Sequence, residues 1–578
     1  MADNASDVGF KGFLKMFKYY AETQAVQGVP IENITQFDGQ PLELKTGPWI
    51  ADDAGISIND GYGRENIACV HPIMPAERLV NIDSGIAKLK IAFRLGDTWK
   101  TEIYDKKTLA SASSIVELAN NDIAVTSENA KYLVKYLNDV DYINYNIIPR
   151  KKSVGRLGWI NDGEFSPYVD GIVFDGANNF RQSFDAVKTT GSLEKWLEIA
   201  KDVRKTDSPA RITLAASFAS VLIKPLSKLN FMNHLWGGTE AGKTVALMLS
   251  ASVWGNPGED GIIKTFNATS VGIELLEGFM NSIPLYLDEF QLEKSKQDFD
   301  GTIYMICEGV GRVRGRKTGG IQDTPTWKNC AITSGETPIT NPSSGGGAVN
   351  RVLEVECKKP LFNDAPLVAD TVRKNYGHAG KLFVSELIKD NAISEANELY
   401  NVFYSSLNDA STDKQRAIAA LILTADTLAT RWIFKDERAM TASDILSILQ
   451  SKDDVDNGLR GYEYLKGVIA SNAYRFYEIG EAAPQIEIWG NKSDGRINLL
   501  SPVYKKICSE GGFDSRALGS WMKKNGYIET DTDRPRNTKR VRINGGLEHC
   551  ICLVNNKETD FINMGDLSPD EQEALPFT

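Results

Sequence analysis

Two patterns of apolar and polar residues divide the chain. Up to about residue 190, short alternating runs mix with helical spacing, which predicts an α+β domain. Ile86–Glu102 alternates as two strands joined by a turn, and Asp170–Phe180 has the pattern of a hairpin. Thr108–Leu137 has helical spacing on both sides of a short predicted strand, Ile123–Thr126.

From residue 191 onward, apolar strands alternate with helices. Predicted strands lie at Phe231–Trp236, Ile283–Leu287, Gly311–Val313 and Ala331–Ser334, which indicates a parallel α/β sheet. Residues 361–480 are mostly helical, and Arg416–Ala429 is the most apolar helix. We therefore divide the chain into an N-terminal α+β domain (1–190), an α/β core (191–360), a helical lid (361–484), a small C-terminal domain (485–554) and a tail (555–578).

Composition narrows the class of protein. The 578 residues include 65 basic and 76 acidic side chains, and a net charge of −11 excludes a uniformly basic nucleic-acid coat protein. No apolar run approaches the roughly 18 residues of a membrane span, and the first residues lack a signal-peptide pattern. Seven scattered cysteines without a CxxC motif indicate reduced thiols. We expect a cytoplasmic protein with no membrane partner.

One segment fits the phosphate-loop motif G-x-x-x-x-G-K-[ST] in full. It comprises Gly237, Gly238, Thr239, Glu240, Ala241, Gly242, Lys243 and Thr244. Glycines let the backbone wrap around phosphate oxygens, and the helix that follows offers its positive end. The lysine reaches the β/γ-phosphates and the threonine hydroxyl can ligate Mg²⁺. The sequence therefore predicts binding of ATP and Mg²⁺.

Polar residues follow two further predicted strands. Asp288 and Glu289 end an apolar strand, where Asp288 would hold the metal and Glu289 would polarise the attacking water. Thr333 and Ser334 end another, and either hydroxyl could bond the water or the γ-phosphate. Arg351 follows a glycine run, where it could reach the γ-phosphate of a neighbouring subunit. Each pattern also fits an ordinary strand end or a surface arginine.

Basic residues concentrate in two places. Arg312, Arg314, Arg316 and Lys317 lie between glycines, and at strand spacing the three arginines would share a face. Such a hairpin could track the phosphates of single-stranded DNA, or it could be a solvated basic loop.

The second basic region is the C-terminal domain. Residues 501–542 hold ten basic and five acidic side chains. Helices at Pro502–Ser509 and Ser515–Asn525, then strands at Tyr527–Thr530 and Val541–Asn544, indicate a winged helix that binds DNA or a protein. Its candidate DNA contacts are Arg516, Lys523, Lys524, Arg534, Arg536, Lys539 and Arg540. The tail carries six acids and one lysine, which fits a peptide for a replication partner or a solubilising tail.

Taken together, these segments resemble a P-loop helicase family of phages and mobile elements. The resemblance rests on FMNHLWGGTEAGKTVALMLSASVWGNP, PLYLDEFQ, GVGRVRGRKTGG and AITSGETPI, and upstream on RLVNIDSGIAKLKIAFR, TLASASSIVELANNDIAVTSENAKYLVKYL and GRLGWI. It spans roughly residues 70–430 and, more weakly, the winged helix. The segments are similar to those of replication initiator helicases of staphylococcal pathogenicity islands and chromosome cassettes, whose ATPase core is similar to that of MCM helicases.

The resemblance implies a multidomain α/β fold with an AAA+ core, a homo-hexameric ring, and unwinding of DNA from 3′ to 5′. Lys243 and Thr244 would be Walker A, Asp288 and Glu289 Walker B, and Ser334 or Thr333 sensor 1, where MCM proteins carry Asn. Arg351 would be the arginine finger, Arg312–Lys317 the pre-sensor hairpin, and Arg416 a sensor-2 arginine.

Two functions follow from these patterns. The first is an ATP-dependent DNA helicase and self-loading replication initiator of a mobile genetic element, which binds single-stranded and origin double-stranded DNA. The alternative is a regulator that assembles on DNA under control of ATP without unwinding it. A small-molecule kinase would leave the basic hairpin and the winged helix unexplained.

Overall fold

A computed structural model describes residues 33–554, except 61, 161–162, 207–208, 293–298, 316–319, 408–410, 482–483, 494 and 531–535. The chain divides into two compact units, Met1–Phe184 and Asp185–Thr578. The acidic tail and two of the predicted DNA contacts in the hairpin, Arg316 and Lys317, lie outside the described residues, as does Arg534.

The N-terminal unit is mostly β. Its strands are β1 Asn33–Ile34, β2 Lys45–Gly47, β3 Ile50–Asp52, β4 Gly55–Asn59, β5 Glu65–Cys69, β6 Ile73–Asn81, β7 Ala87–Leu95, β8 Thr98–Asp105, β9 Arg150–Val154, β10 Gly158–Trp159, β11 Phe165–Ser166 and β12 Val173–Phe174. Its helices are α1 Lys106–Leu109 and α2 Ala130–Ile143, and α3 Arg181–Ala186 spans the boundary between the units. A five-stranded sheet runs in the order β12-β9-β6-β7-β8, and its core includes buried residues of α2.

The expected strand pair at Ile86–Glu102 is confirmed as β7 and β8, which are antiparallel. The strand predicted at Ile123–Thr126 is wrong: the backbone N–H of Ala124 donates to the imidazole of His71 and is not paired with a strand. The hairpin predicted at Asp170–Phe180 is also wrong, because β12 pairs with β9 in parallel and the chain then enters a helical turn.

The second unit begins with an α/β layer. Its strands are β13 Phe231–Trp236, β14 Ile263–Thr265, β15 Leu285–Asp288, β16 Cys330–Gly335 and β17 Val352–Glu356. The helices of this layer are α4 Leu193–Val203, α5 Pro209–Ser220, α6 Lys243–Ala251, α7 Ser270–Met280, α8 Asp300–Glu308 and α9 Gly346–Val349. The strand order β14-β15-β16-β13-β17 is parallel throughout, as the sequence predicted.

Helices follow the sheet, also as expected. They are α10 Ala365–Lys374, α11 His378–Leu387, α12 Ala392–Ser406, α13 Asp413–Ala429, α14 Ala442–Leu446, α15 Lys452–Val455 and α16 Asn457–Ser471. In the described part of the chain, one segment, Asp413–Phe434, has the length and hydropathy of a membrane span, although the apolar runs gave no such expectation. Because 83% of its most apolar window is buried in the protein, it has the surroundings of a core helix.

A buried ionic network joins the start of the second unit to this long helix. The guanidinium of Arg204 bonds the carboxylates of Asp426 and Asp436, the hydroxyl of Thr430 and the carbonyl of Arg438. The side chains of Arg204 and Asp426 are each only 1% exposed. Burial raises the pKa of the Asp426 carboxyl, although Arg204 acts in the opposite direction. Removing one partner would leave an uncompensated buried charge.

The C-terminal part of this unit has its own core. It contains β18 Phe476–Glu478, β19 Gly490–Ser493, β20 Arg496–Leu500, α17 Ser501–Glu510, α18 Ser515–Lys524, β21 Ile528–Glu529, β22 Lys539–Ile543 and β23 Gly546–Val554. The predicted helix after Asp514 is confirmed, and the Asp514 carboxylate caps it by accepting the N–H groups of Arg516 and Ala517. The same core includes Tyr462 and Leu465 of α16, which precede the boundary predicted at residue 485.

The wing differs in its pairing from the expectation. The sequence predicted a return strand opposite Tyr527–Thr530, but β22 pairs instead with β23, and β21 pairs farther along the same strand. Asn544 and Gly545, both with positive φ, form the turn between β22 and β23. An Asn-Gly pair favours this kind of hairpin turn.

Candidate functional site

The phosphate loop joins β13 to α6. Glu240 (φ 66°) and Gly242 (φ 89°) have left-handed backbone with Ala241 between them, the alternation found in anion-binding nests. A Cβ at Gly237 would lie 2.8 Å from the carbonyl oxygen of Cys357, and one at Gly242 would lie 3.1 Å from the ring of Phe362. Glycine is therefore required at both positions, and the loop keeps the shape that phosphate binding needs.

The side chains of the loop face its own backbone. The ammonium of Lys243 donates to the carbonyls of Gly237 (2.9 Å) and Gly238 (2.7 Å). Thr239 donates to the carboxylate of Glu336 at 3.4 Å. Thr244, the predicted Mg²⁺ ligand, lies in the first turn of α6 and is exposed. The lysine is thus held over the loop, ready to exchange carbonyls for phosphate oxygens.

A second segment, residues 357–364, forms the wall of the loop. The N–H of Cys357 donates to the carbonyl of Trp236, and the N–H of Leu361 donates to that of Ala241. A cavity of about 450 Å³ lies between this segment, the end of α4, the start of α5 and α10. Val203, Pro209 and Phe362 are among its apolar lining residues. Its size and mixed lining suit a nucleoside beside the phosphate loop.

Asp288 and Glu289 leave β15 in different directions. The hydroxyl of Tyr286 bonds the carbonyl of Ser250 on α6, and Asp288, two residues later, therefore projects to the same face of the sheet. Asp288 is 9% exposed, whereas Glu289 is exposed and has a left-handed φ of 64°. Such strained backbone clusters at functional sites. The structure thus places Asp288 on the side of the phosphate-loop helix and leaves Glu289 open at the strand end.

The two candidate sensor hydroxyls point to opposite faces of β16. Ser334 donates to the carboxylate of Asp288. Thr333 instead bonds Nδ1 of His234 at 2.8 Å, and Nε2 of this buried histidine contacts the carbonyl of Thr337. Burial lowers the pKa of His234 to about 4, so the ring is neutral near pH 7. β16 lies between β13 and β15, and Ser334 bonds Asp288 whereas Thr333 does not. Ser334 is therefore the hydroxyl placed between the phosphate loop and the acidic strand.

Arg351 lies at the opposite edge of the sheet from the phosphate loop. Its carbonyl accepts the N–H of Met232, at the beginning of β13, whereas the loop follows the end of that strand. Five strand residues separate these points by about 17 Å. The guanidinium bonds Glu308 and the carbonyl of Gly347 (2.9 Å) and lies over the ring of Tyr304. It therefore cannot reach the phosphate loop of its own chain.

Arg416 lies at the same edge as Arg351. It begins α13, where it bonds Asp413 and the hydroxyl of Tyr404. The neighbouring Gln415 donates to the carbonyl of Val352, at the start of β17, at 2.9 Å. The start of α13, which carries the predicted sensor-2 arginine, therefore contacts the start of β17 next to the predicted finger, at the edge of the sheet opposite its own phosphate loop.

Arg312 and Arg314, the described arginines of the predicted hairpin, do not lie on a regular strand. Residues 311–314 form no strand, because Arg312 donates its N–H to the side chain of Glu274 and not to a neighbouring strand. Arg314 makes two bonds of 2.7 Å with the same carboxylate, whose side chain is 1% exposed. Hydrogen bonding by Arg314 lowers the pKa of Glu274. Arg314 therefore anchors the loop, and Arg312 is the exposed cation.

The winged helix presents a basic helix face. Arg516, Lys523 and Lys524 are exposed on α18, and Arg536 and Arg540 are exposed on the wing. Lys539 is different, because its ammonium bonds Glu529 at 2.8 Å. The exposed cations lie on two adjoining elements, an arrangement that suits phosphate contacts.

The residues present fit a nucleotide with Mg²⁺. The glycine cradle excludes a Cβ, and Lys243 supplies the cation for the phosphates. In the part of the chain described, no three His, Cys, Asp or Glu side chains form a metal-binding group. Mg²⁺ in nucleotide sites is bound by one or two protein ligands together with substrate phosphates and water. Here Thr244 and Asp288 would be the protein ligands. All seven cysteines are buried, and none of them forms a disulfide.

Several site residues were not predicted from the sequence. Glu336 contacts the loop from the end of β16, and its position two residues after Ser334 was an available signal. Cys357 and Phe362 contact the loop only through tertiary packing, and no motif marks them. Arg460 donates to the carbonyls of Asn341, Pro342 and Ser344, just before the glycine run, and likewise follows no pattern in the sequence.

The fold and site define a mixed α/β protein with a parallel sheet, a phosphate-loop motif and a C-terminal helix-turn-helix domain. Residues 51–326 match a family described as "Domain of unknown function (DUF927)", and residues 456–558 match the "Cch helix turn helix domain". A comparison with curated protein sequences gave no match.

The overall structure is similar to a solved one described as "SCCmec type IV Cch - active helicase". The TM-score is 0.63 and the sequence identity is 19%, over 88% of this chain and 97% of the other. At this identity the likeness shows a shared fold. The expected resemblance to staphylococcal cassette helicases is confirmed, through this fold and through the family of the C-terminal domain.

Proposed function

We propose that this chain is a cytoplasmic ATP-dependent DNA helicase that initiates replication of a mobile genetic element. The observation that carries the proposal is the placement of two half-sites on opposite edges of one sheet. One edge holds the phosphate loop with Asp288 and Ser334, and the other holds Arg351. The fold shared with a protein described as an active helicase supports the proposal.

The chemistry divides among the residues of the first edge. Lys243 and the N–H groups at the start of α6 bind the phosphates. Thr244 and Asp288 would hold Mg²⁺, which would supply positive charge to the phosphoryl oxygens. Glu289 is open at the strand end and orients the attacking water, and Ser334 fixes the Asp288 carboxylate. The cavity beside residues 357–364 binds the base and sugar of ATP.

The second edge requires a neighbour. A contact in which the phosphate-loop edge of one chain meets the Arg351 edge of the next is head-to-tail, and such contacts form a ring when the rotation between neighbours closes. We propose a homo-hexameric AAA+ ring in which Arg351, with Arg416 beside it, completes the adjacent site. Arg351 must leave Glu308 to do so, and Glu308 is 59% exposed, so this pair can open toward solvent.

DNA would bind at two places. Arg312 is an exposed cation of the loop before β16 and would contact the phosphates of a single strand. The exposed face of α18, with Arg516, Lys523 and Lys524, would bind origin double-stranded DNA. The same elements would serve a regulator that does not unwind DNA, and the acidic tail would meet a replication partner.

Mixing two inactive variants tests the shared site. Lys243→Ala removes the lysine of the phosphate loop, and Arg351→Ala removes the predicted arginine finger. Loss of such a finger lowers kcat by roughly 1,000-fold or more. Each variant alone should not hydrolyse ATP, although Arg351→Ala should still bind it. A mixture should regain activity, because some interfaces then pair an intact loop with an intact Arg351.

The control is Lys389→Ala, which removes an exposed lysine that pairs with Glu386 and lines neither the base cavity nor either half-site. It should assemble and hydrolyse ATP with a turnover close to that of the wild type. A mixture of the two inactive variants that stays inactive, although both assemble, would contradict a shared site.

A further inference from the structure

We infer that Arg460 couples the DNA-binding surface of the helix-turn-helix domain to the position of Arg351, so that DNA bound by this domain regulates ATP hydrolysis. The inference rests on the proposed function. Arg460 lies on α16 and is assigned as a positioning residue, since it acts through the loop before Arg351 rather than on nucleotide or DNA.

One end of the connection is fixed to the recognition helix. The indole N–H of Trp521, on α18, donates to the carboxylate of Asp456 at 3.1 Å. A Cβ at Gly458 would lie 2.2 Å from the same indole ring, and one at Gly461 would lie 3.0 Å from Phe513. The first turns of α16 are therefore packed directly against α18, so a displacement of one helix displaces the other.

The other end of the connection is a clamp on the loop after β16. The guanidinium of Arg460 donates to the carbonyl oxygens of Asn341 (3.4 Å), Pro342 (3.2 Å) and Ser344. The α17–α18 turn adds a steric contact, because a Cβ at Gly512 would lie 2.6 Å from the side chain of Ser343. The helix-turn-helix domain thus holds residues 341–344 by hydrogen bonds and by packing.

This loop leads directly to Arg351. The N–H of Gly345 bonds the carboxylate of Asp300 at 2.6 Å. Gly346 and Gly347 pass between two elements, since a Cβ there would lie 2.3 Å from the carbonyl of Val455 and 2.4 Å from the hydroxyl of Tyr304. Both glycines belong to α9, which ends two residues before Arg351. The guanidinium of Arg351 bonds the carbonyl of Gly347 and lies over Tyr304.

The bonding of Arg460 suits a clamp that carries force. Its described hydrogen bonds go to three carbonyl oxygens and to the side chain of Asn457, all of them neutral acceptors. A planar guanidinium can span several carbonyls at fixed angles, which a lysine ammonium cannot do. Lysine at this position should therefore restore the charge without restoring the clamp.

The test measures ATP turnover of the full-length protein with and without double-stranded DNA. In the wild type, DNA should change kcat by roughly fivefold or more, the lower end of the 5–150-fold coupling that is usual between the affinities of two binding sites. Arg460→Ala should remove most of this factor while the KM for ATP and the affinity for DNA stay close to wild-type values. Arg460→Lys should restore little of the response. Lys466→Ala, on the same helix and bonded only to Glu463 among described acids, should behave as the wild type.

A second readout does not need hydrolysis. Binding of a non-hydrolysable ATP analogue should change the affinity of the wild type for double-stranded DNA, and this DNA should change the affinity for the analogue by the same factor, because coupling between two binding sites is reciprocal. This change should disappear in Arg460→Ala. A wild type that never hydrolyses ATP would overturn the proposed function, whereas an Arg460→Ala protein that keeps both the kcat response and the affinity change would overturn the coupling.

Discussion

Adjacent hydroxyls on β16 give the sharpest separation of catalysis from stability. Ser334 donates to Asp288, whereas Thr333 bonds the buried His234 on the other face of the sheet. We compare Ser334→Ala with Thr333→Val, each of which removes one hydroxyl from the same strand. Each new side chain has nearly the volume of the one it replaces, so the effect of each change reports the lost hydrogen bond.

The magnitudes follow from the two partners. Hydrogen bonds to charged groups contribute about 1.5–3 kcal/mol. If Ser334 holds Asp288 in its working position, Ser334→Ala should lower kcat by roughly 10- to 100-fold, since about 1.4 kcal/mol is tenfold in rate. Thr333→Val leaves a buried imidazole nitrogen without its hydroxyl partner, which costs about 1–3 kcal/mol of folding stability. It should change kcat little.

The assays are steady-state ATP turnover with Mg²⁺ and urea unfolding followed by tryptophan fluorescence. Turnover is measured well below the unfolding transition of the less stable variant, so that folding does not limit it. The reasoning would be refuted if Thr333→Val lost turnover at unchanged stability while Ser334→Ala kept it, because Thr333 would then be the hydroxyl that acts on the nucleotide.

Three further predictions concern stability, DNA and pH. Arg204→Met should destabilise the second unit by about 3–5 kcal/mol in urea unfolding, because it leaves Asp426 buried without its cation. The control Lys205→Met, at an exposed position, should leave the stability unchanged. Equal stability of the two variants would contradict the network. Arg312→Ala should weaken single-stranded DNA binding and reduce its salt dependence without loss of stability, and Arg314→Ala should instead loosen its loop, seen as faster proteolysis there; an unchanged salt slope in Arg312→Ala would exclude that contact. The pKa of His234 falls from 6.5 to about 4 on folding, so its contribution to the free energy of unfolding is complete above pH 6.5. About 3 kcal/mol of this free energy is lost as the pH falls from 6.5 toward 4. A His234→Gln protein whose stability has the same pH slope as that of the wild type would show that another group titrates.

The sequence predicted β13, β15 and β16 because each is a continuous apolar run next to its own polar end. It missed β14, a three-residue strand with the sequence Ile-Lys-Thr, and it wrongly predicted a strand at Gly311–Val313. It also located the phosphate loop, whose eight residues are contiguous. It could not choose between Thr333 and Ser334, since the choice depends on which face of β16 lies toward α6. That face is set by Tyr286 and Ser250, which the chain brings together only on folding.

Charge patterns were less informative about partners. The run of arginines before β16 predicted a shared DNA-binding face, but Arg314 is paired with Glu274, forty residues away in sequence. Lys539 is likewise engaged by Glu529. A basic run thus indicates where cations concentrate, and only the acidic partners brought by tertiary structure decide which of them remain exposed. Arg460 shows the converse, because a single arginine outside any pattern holds three backbone carbonyls.

The central claim is that this chain uses ATP to separate DNA strands. The most direct measurement is displacement of a labelled strand from a forked duplex by the full-length protein with ATP and Mg²⁺, with the non-hydrolysable analogue and Lys243→Ala as controls. The account predicts ATP-dependent displacement by the wild type alone. Hydrolysis of ATP and binding of the fork without any displacement would contradict it and would instead indicate an ATP-controlled regulator that assembles on DNA.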